Sequence, residues 1–414
     1  MSQGPCIRLV DVTNRDGVQT SRLGLAKLEK TIINILLNET GVYRSEFGFP
    51  FTLHEQHYLN ANLRLQQKGL LSPIVLSGWC TARTKDVEQA FVLVPSLKHI
   101  CVSISTSKQM IDGKFEGKKG RSDVIQMMLA AVKACYDGGA EWVGVNAEDA
   151  SRTDINELIE YAANAKEAGA KTLRYCDTLG HDDPFSAYER VKKLAQATKM
   201  PIELHCHNDL GMAVAVSVAG AVGAVEAGVD AYINTTVNGM GERAGNADLV
   251  STILALKYSS NLGPRNLLDP RVKLNKAWEI SKYGSYAFGV PIPINQPGVG
   301  ANAFAHESGI HADGALKHRR NYELYDYEDL GRGEPEFVET GRLITVGEYS
   351  GIKGFRNVYG KLKIEFKDDE EATRVLELVR YANVHTQKPL THQELLFVAN
   401  FPDEAREIMT VTPP

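Results

Sequence analysis

The feature of this 414-residue chain that most restricts its fold is an alternation of strands and helices that repeats eight times. Short apolar runs typical of strands begin at Ile7, Val42, Pro73, His99, Trp142, Thr172, Ile202 and Ala231. Helical spacing of apolar residues marks intervening segments such as Leu25–Asn38, Asp123–Tyr136, Ile155–Ala168 and Ala187–Ala197. Eight such repeats in about 260 residues predict an α/β fold, the (β/α)8 or TIM barrel. A doubly wound sheet is the alternative, but no glycine-rich phosphate motif follows an early strand.

The pattern changes after the eighth repeat, and we expect three parts in the chain. A (β/α)8 barrel would occupy residues 1–275 and a linker rich in proline and glycine residues 276–305, which contain FGVPIPINQPGVGANA. A smaller region of helical character would occupy residues 306–414, with helices near Asp369–Ala382 and His392–Val398.

Composition indicates an ordinary globular protein and excludes several classes. The net charge of -5 argues against nucleic-acid binding, which would need a basic surface. The six cysteines form no C-x-x-C pair, and structure is expected to begin by Ile7, so we predict reduced thiols in a cytoplasmic protein. Residues Gly211–Val229 are almost uncharged but consist mainly of Ala, Val and Gly, which favours a helix packed tightly on a sheet over a membrane span.

Two histidines at the end of the seventh predicted strand indicate a metal site. His205 and His207 are separated by one residue, and strand geometry directs such side chains to the same face. A lone histidine would more simply be a core residue, but a pair at this spacing can reach one divalent cation.

In a (β/α)8 barrel the active site lies at the carboxyl ends of the strands, and polar side chains concentrate there in this sequence. Some of them are residues that also cap helices, but six polar strand ends are difficult to explain by capping alone. They are Asn14–Gln19, Glu46–Gly48, Asn146–Asp149, Asp177–Gly180, His205–His207 and Asn234–Gly239.

Asp16 would add a carboxylate to the histidine pair, and Asn238 a neutral oxygen ligand. Two imidazoles and one carboxylate leave coordination positions open for substrate oxygens. This ligand set suits oxygen-activating iron as well as Lewis-acid catalysis by Mg, Mn or Zn.

Motifs around these residues resemble those of a known enzyme family. They are RDGxQ at 15–19, ExHxHNDxG at 203–211 and NTTVNGxGERAGN at 234–246, followed by HESGIHADG at 306–314 and LKHRRNYE at 316–323. The chain is thus similar, over most of residues 7–351, to the 2-isopropylmalate, homocitrate and citramalate synthases. It resembles most the nitrogenase-associated homocitrate synthases. Those enzymes are divalent-metal-dependent (β/α)8 barrels that condense acetyl-CoA with a 2-oxo acid.

The resemblance implies a role for each matching residue around the metal. The three ligands would hold the cation that chelates the ketone oxygen and carboxylate of the 2-oxo acid. Arg15 would stabilise the ketone oxygen as it becomes an alkoxide. Thr178 would bind the substrate carboxylate, while Gln19 and Glu46 would order the surrounding side chains.

The resemblance also implies that the C-terminal region completes the active site. His311 and Tyr322 would serve in proton removal from the methyl group of acetyl-CoA, and Glu148 would orient that base or share in the transfer. In the family, the C-terminal region of one subunit closes over the barrel of the other, which implies a homodimer with shared active sites. The basic residues at 317–320 are equally compatible with contacts to the CoA phosphates and with a solvated surface.

The motifs specify the reaction more closely than they specify the 2-oxo acid that takes part in it. Polar side chains predominate among the strand-end residues near the substrate's distal end, namely Asn14, Arg83, Ser105, Thr106 and Asn146. Because a buried carboxylate needs polar partners, we predict a 2-oxo dicarboxylate or an analogue with another anionic group.

Several substrates and activities therefore remain open. The motifs favour an acyltransferase that converts 2-oxoglutarate to homocitrate, and the alternatives are oxaloacetate to citrate and phosphonopyruvate to 2-phosphonomethylmalate. A 2-isopropylmalate synthase, a 3-hydroxyacyl-CoA lyase, a biotin-dependent carboxyltransferase and a non-catalytic binding protein fit less well. The lyases usually lack the long C-terminal region, and no lysine suited to carbamylation is evident at the strand ends.

Overall fold

Eight parallel strands form a closed barrel in sequence order in the computed structural model, which describes residues 4–334, 341 and 343–413. The barrel closes where Ile7 pairs with Ala231 and Asp11 with Thr235. All eight predicted strands are confirmed, and so is the (β/α)8 fold. The strands are Ile7–Asp11 (β1), Arg44–Gly48 (β2), Val75–Thr81 (β3), His99–Ser105 (β4), Trp142–Glu148 (β5), Thr172–Asp177 (β6), Ile202–Cys206 (β7) and Ala231–Thr235 (β8).

Helices surround the barrel and continue beyond it, and they confirm every predicted helical segment. Those up to the eighth repeat are Lys27–Thr40 (α1), Gln56–Gln67 (α2), Thr84–Leu93 (α3), Lys108–Lys114 (α4), Arg121–Asp137 (α5), Ile155–Glu167 (α6), Pro184–Thr198 (α7), Ala213–Glu226 (α8) and Leu249–Tyr258 (α9). The others are Ala277–Phe288 (α10), Gly309–Lys317 (α11), Ile352–Lys361 (α12), Asp369–Thr386 (α13), His392–Asn400 (α14) and Pro402–Met409 (α15).

The inside of the barrel is filled by an ion-pair network. Arg174 Nη2 lies 2.7 Å from Glu46 Oε1 and 2.6 Å from Glu203 Oε1. Glu203 also accepts hydrogen bonds from Arg44 and, at 2.6 Å, from Asn234 Nδ2. All five side chains are almost completely buried. Because buried charges are tolerated only when paired, each member depends on the others.

Small residues let helix α8 approach strand β7 closely, as the sequence predicts, and also helix α7. A Cβ atom on Gly223 would lie 2.6 Å from the backbone oxygen of Tyr188, and one on Gly220 would lie 2.7 Å from Leu204 Cδ1. In the described part of the chain, no helix combines the length and apolar character needed to cross a membrane.

The predicted linker, residues 276–305, is only partly irregular, because α10 occupies residues 277–288. Residues 289–308 contain no helix or strand. Beyond them, the C-terminal helices pack against the barrel of the same chain: Lys388 Nζ lies 2.9 Å from Glu29 Oε1 of α1, and Tyr283 of α10 donates a 2.9 Å hydrogen bond to Glu394 of α14. The positions of the domain boundaries remain predictions.

Candidate functional site

Asp16, His205 and His207 converge at the carboxyl ends of β1 and β7. One ligand atom from each side chain can be chosen so that all three atoms lie within 4.8 Å of one another. Each residue is at most 6% exposed. The arrangement predicted from the sequence therefore exists as a buried cluster compact enough for one cation.

Local backbone geometry creates this cluster. His205 lies in β7 and His207 one residue beyond its end, and their rings are 5.0 Å apart between centroids and nearly perpendicular. After β1 the chain turns sharply, because the backbone N–H of Asp16 donates to the carbonyl of Val12 at 2.7 Å. This turn directs the Asp16 carboxylate back over the end of the barrel.

The electrostatics favour the protonation states that bind metals. Burial would raise the pKa of the Asp16 carboxyl, but Arg15, both histidines and the hydrogen bond from Asn246 together hold it well below its usual range. Burial lowers the pKa of His207 and lowers that of His205 well below its ordinary value. An ionised carboxylate and two neutral imidazoles are the forms in which these side chains act as ligands.

The structure brings Asn246 into contact with Asp16, whereas the side-chain amide of the predicted ligand Asn238 contacts α10. Asn238 Nδ2 donates to the backbone oxygen of Ser281 on α10, 2.9 Å away. Asn246 Nδ2 lies 2.5 Å from Asp16 Oδ2. The preceding Gly245 makes this possible with a φ of +89°, and a Cβ atom there would lie 2.0 Å from a backbone oxygen. Sequence spacing alone did not distinguish the two asparagines of the motif.

The residues present fit a divalent cation. Three buried polar atoms of this cluster have no hydrogen-bond partner among the described residues: Nδ1 of His205, Nδ1 of His207 and Oδ1 of Asn246. Buried polar atoms without a partner are uncommon, and here each can act as a ligand or be satisfied by one. Oxygen and imidazole donors together suit Mg, Mn or Zn.

Arg15 connects the cluster to the ion-pair network inside the barrel. Its Nη1 lies 2.5 Å from Asp16 Oδ1, and its Nε lies 2.6 Å from Glu46 Oε2. The guanidinium also lies over the ring of Trp79, 5.5 Å from the centroid. Held on three sides, Arg15 presents a fixed positive charge beside the metal ligands.

A cavity of about 430 Å³ opens above these residues. It is lined by the predicted site residues Arg15, Asp16, Gln19, Arg83, Glu148, Thr178, His205 and His207. Glu46 lies below its floor and is completely buried. The structure thus unites most of the predicted catalytic, substrate-binding and metal-binding residues around one space.

Glu148 lies on the β5 side of the cavity and is paired with a lysine that the sequence did not indicate. Both carboxylate oxygens of Glu148 lie 2.7 Å from Lys114 Nζ, and one of them also accepts a hydrogen bond from Ser105. Lys114 is the last residue of α4 and lines the same cavity. Nothing in the local sequence distinguishes it from the other lysines that follow it.

Thr178 is oriented toward the cavity by its neighbours. Its Oγ1 accepts a hydrogen bond from the backbone N–H of Asp149 at 2.9 Å, which leaves the hydroxyl hydrogen available for a ligand. Arg243 donates to the carbonyl of Thr178 and binds both oxygens of Asp209 at 2.8 and 2.9 Å. Gln19 and Arg83, by contrast, are exposed at the rim of the cavity.

His311 and Tyr322 do not line the cavity within the described part of this chain. Their rings stack on each other with centroids 4.2 Å apart, at and just beyond α11. Neither they nor their neighbours on α11 are buried. The predicted base is therefore present but separate from the other site residues.

Two families of known proteins match consecutive parts of the chain. Residues 6–283 match the HMGL-like family, and residues 299–386 match the homocitrate synthase post-HMGL domain-like family. The chain is 58% identical to citrate (Re)-synthase of Dehalococcoides mccartyi, over 98% of both chains. It is 40% identical to 2-isopropylmalate synthase 2 of Caldanaerobacter subterraneus, over 95% of this chain and 94% of that one.

Homocitrate synthase 1 of Nostoc sp. is 35% identical over 93% of this chain and 95% of its own length. The match of whole chains, and not only of the barrel, confirms the family that the motifs suggested. The chain is therefore an enzyme of the HMGL-like family and belongs with the citrate (Re)-, 2-isopropylmalate and homocitrate synthases.

Proposed function

We propose that this enzyme condenses acetyl-CoA with oxaloacetate and hydrolyses the resulting thioester to give citrate and free CoA. The observation that carries the proposal is the 58% identity to citrate (Re)-synthase along the whole chain, against 35% to homocitrate synthase 1. The motifs alone favour homocitrate as the product, whereas the relatives favour the alternative product, citrate.

The lining of the cavity supports a dicarboxylate over an apolar 2-oxo acid. On the side formed by β3, β4 and β5, it contains Thr81, Ser103, Ser105, Asn146 and Glu148. A branched apolar substrate would displace water from this side without offering these polar groups a hydrogen bond, which costs about 1–3 kcal/mol for each group left without a partner. Hydrogen-bonding groups on this side instead suit a second carboxylate.

The residues of this chain would act on a 2-oxo acid as follows. A divalent cation at the cluster would supply the Lewis acidity that polarises the ketone. Arg15, fixed by Glu46 and Trp79, would donate to the ketone oxygen and stabilise the negative charge that develops there. Thr178 would donate its hydroxyl hydrogen to the adjacent carboxylate.

Carbon–carbon bond formation also requires loss of a proton from the methyl group of acetyl-CoA. The proposed base is His311, with Tyr322 stacked on its ring and Glu148 orienting it. The resulting carbanion attacks C2 of oxaloacetate, and the new alkoxide takes up a proton. Water then cleaves the thioester, releasing CoA and a free carboxylate.

The location of His311 supports a homodimer in which each barrel uses α11 of the other subunit. Near the carboxyl ends of the strands, Leu210 is exposed in the loop after β7, and Phe185, the second residue of α7, is 84% exposed. Helix α11 carries the exposed apolar residues Ile310 and Leu316, the latter 88% exposed. Contact between these two places in a dimer would cover the exposed apolar residues of both.

The test is release of CoA thiol from acetyl-CoA with a panel of 2-oxo acids. We expect the highest kcat/KM with oxaloacetate, lower values with 2-oxoglutarate and phosphonopyruvate, and the lowest with pyruvate and 2-oxoisovalerate. Citrate should be identified as the product by chromatography. A preference for 2-oxoisovalerate, or thiol release without a condensed product, would refute the proposal.

A further inference from the structure

Among the described residues that line the cavity, four are permanently cationic. Arg15 and Arg174 belong to the buried ion-pair network and Arg83 lies at the rim, whereas Lys114 is paired with Glu148 at the cavity wall. We propose that Lys114 is the residue that selects the second carboxylate of the substrate, binding it through one N–H of its ammonium while the other two hold Glu148. The proposal rests on the proposed function, since it assumes a 2-oxo dicarboxylate.

The topology gives the cavity two sides. In a closed ring of eight strands, β7 faces β3 and β1 faces β5. The metal ligands belong to β7 and to the turn after β1, so the opposite side is formed by β3, β4 and β5. Lys114 lies on this side, because its ammonium contacts Glu148 at the end of β5. A substrate held by its ketone at the metal cluster would extend its far end in that direction.

The charges near the two sides differ. The three buried arginines Arg15, Arg44 and Arg174 are balanced by three buried carboxylates, which are Asp16, Glu46 and Glu203. The remaining charged residues of the cavity lining are Arg83, Lys114 and Glu148. Two cations against one carboxylate leave an excess of one positive charge on the β3–β5 side, which matches a single carboxylate of the substrate.

The hydrogen bonds of Lys114 leave it one donor for a ligand. An ammonium has three N–H groups, and those of Lys114 have two acceptors, the oxygens of Glu148, at 2.7 Å each. Glu148 is itself held by Ser105, so the half-exposed side chain of Lys114 is paired at the cavity wall. The side chain of Arg83, by contrast, has no hydrogen bond or ion pair to any described residue.

Asn146, below Glu148 on the same strand, offers donors to the same region. With its amide oriented so that both ends are satisfied, Oδ1 accepts from Trp79 Nε1 at 3.1 Å and from Arg174 Nη1 at 3.2 Å. Because an amide NH2 group has two N–H donors, one of them can still be offered to the cavity. An ammonium above an amide NH2 suits an acceptor such as a carboxylate.

The test compares oxaloacetate with pyruvate, which lacks the second carboxylate, in the full-length enzyme with its metal. For Lys114→Met we expect kcat/KM with oxaloacetate to fall about 10- to 100-fold, mainly through KM, because the contact is remote from the reacting carbon. The value with pyruvate should fall much less, so that the preference for oxaloacetate over pyruvate itself falls about tenfold or more. Lys114→Arg should retain most of the preference, since it keeps the charge. Lys118→Met is the matched control, because Lys118 pairs with Glu116 and does not line the cavity.

The possible results distinguish a failure of the Lys114 proposal from a failure of the proposed function. If Lys114→Met lowers kcat equally for both substrates, Lys114 only positions Glu148 and the inference is wrong. If Arg83→Met, and not Lys114→Met, removes the preference, the second carboxylate binds at the rim and the inference is also wrong. A wild-type preference for 2-oxoglutarate would refute citrate formation but not Lys114, whose variant must then lose that preference over pyruvate. Wild-type turnover of monocarboxylic acids alone would refute both.

Discussion

The side-chain amide of Asn246 donates a hydrogen bond to Asp16, with 2.5 Å between Nδ2 and Oδ2, although 230 residues separate them in the chain. The loop after β8 thereby lies across the metal cluster, and its backbone also bridges to His207. Asn246 Oδ1 is buried without a partner among the described residues, which places an unused oxygen beside the three ligands. The contact predicts that Asn246 contributes to metal binding at this candidate site, and that contribution can be measured.

We predict that Asn246→Ala weakens binding of a divalent cation about 10- to 100-fold, the usual effect of losing a residue that orients a ligand. Calorimetric titration of the metal-free protein with Mn²⁺ measures this affinity. Asn238→Ala is the control, because Asn238 is bonded to α10 and should leave the affinity unchanged. If Asn238→Ala weakened cation binding and Asn246→Ala did not, the ligand set predicted from the sequence would be supported instead.

Removal of the metal should abolish turnover without unfolding the barrel. Chelation by EDTA is expected to stop thiol release, and added Mg²⁺, Mn²⁺ or Zn²⁺ to restore it, because the buried imidazoles are neutral and available as ligands. His205→Ala should lose most activity while its far-ultraviolet circular dichroism stays unchanged. His181→Ala, outside the cluster, serves as the control. Full activity in a sample shown to be free of metal would contradict the assignment.

The ion-pair network makes a separate prediction about stability. Glu203→Gln would leave Arg44 and Arg174 buried with too little negative charge, which should lower the free energy of unfolding by about 3–5 kcal/mol. Glu226→Gln removes a partly exposed partner of Lys192 and should cost less than about 1 kcal/mol. Urea denaturation of the two variants provides the measurement. Similar losses for both would mean that the barrel interior tolerates unpaired arginines.

The pH dependence of stability should contain a contribution from Glu55. Burial raises the pKa of this carboxyl, but Lys30 and Lys27, whose Nζ atoms lie 2.6 and 2.7 Å away, outweigh burial and bring the pKa to about 2. A carboxyl whose pKa is lower in the folded than in the unfolded state stabilises the protein above its ordinary value of 4.5. That contribution is lost as the pH falls from about 4.5 toward 2.

Glu55→Gln should therefore destabilise the protein at about pH 6, and the difference from wild type should shrink as the pH approaches about 2. Chemical denaturation at a series of pH values measures that difference. Glu39→Gln is a suitable control, because among the described residues Glu39 forms a single, half-buried pair, with Lys276. A difference that stays constant between about pH 6 and pH 2.5 would show that the two lysines do not lower this pKa.

The sequence predicted the barrel well because its signals are local. Each strand and helix carries its own apolar period, and the closing pair Ile7–Ala231 follows once eight repeats are counted. The alternation of side chains along β7 likewise sufficed to place His205 beside His207. The cluster with Asp16 was predictable because all three residues lie at strand ends on one face of the barrel.

The residues that the sequence did not indicate depend on tertiary contacts. Whether Asn238 or Asn246 reaches Asp16 is decided by the path of the loop between them, which turns at Gly245. Lys114 belongs to a short helix with ordinary composition, and only its contact with Glu148 distinguishes it from Lys118. Such contacts between distant segments leave no periodic signal in the chain.

Mixing two inactive variants should restore activity if the active site is shared between subunits. Asp16→Ala disables the barrel of its own chain, and His311→Ala removes the proposed base, which does not line the cavity of its own chain among the described residues. Random exchange between equal amounts of the two variants makes half of the dimers mixed. Each mixed dimer contains one intact site, so activity should recover to about a quarter of the wild-type value. Light scattering should give the mass of a dimer throughout, and an Asp16→Ala sample incubated alone controls for spontaneous recovery. If mixing restores nothing although mass spectrometry shows that subunits exchange, then His311 acts within its own chain or is not the base.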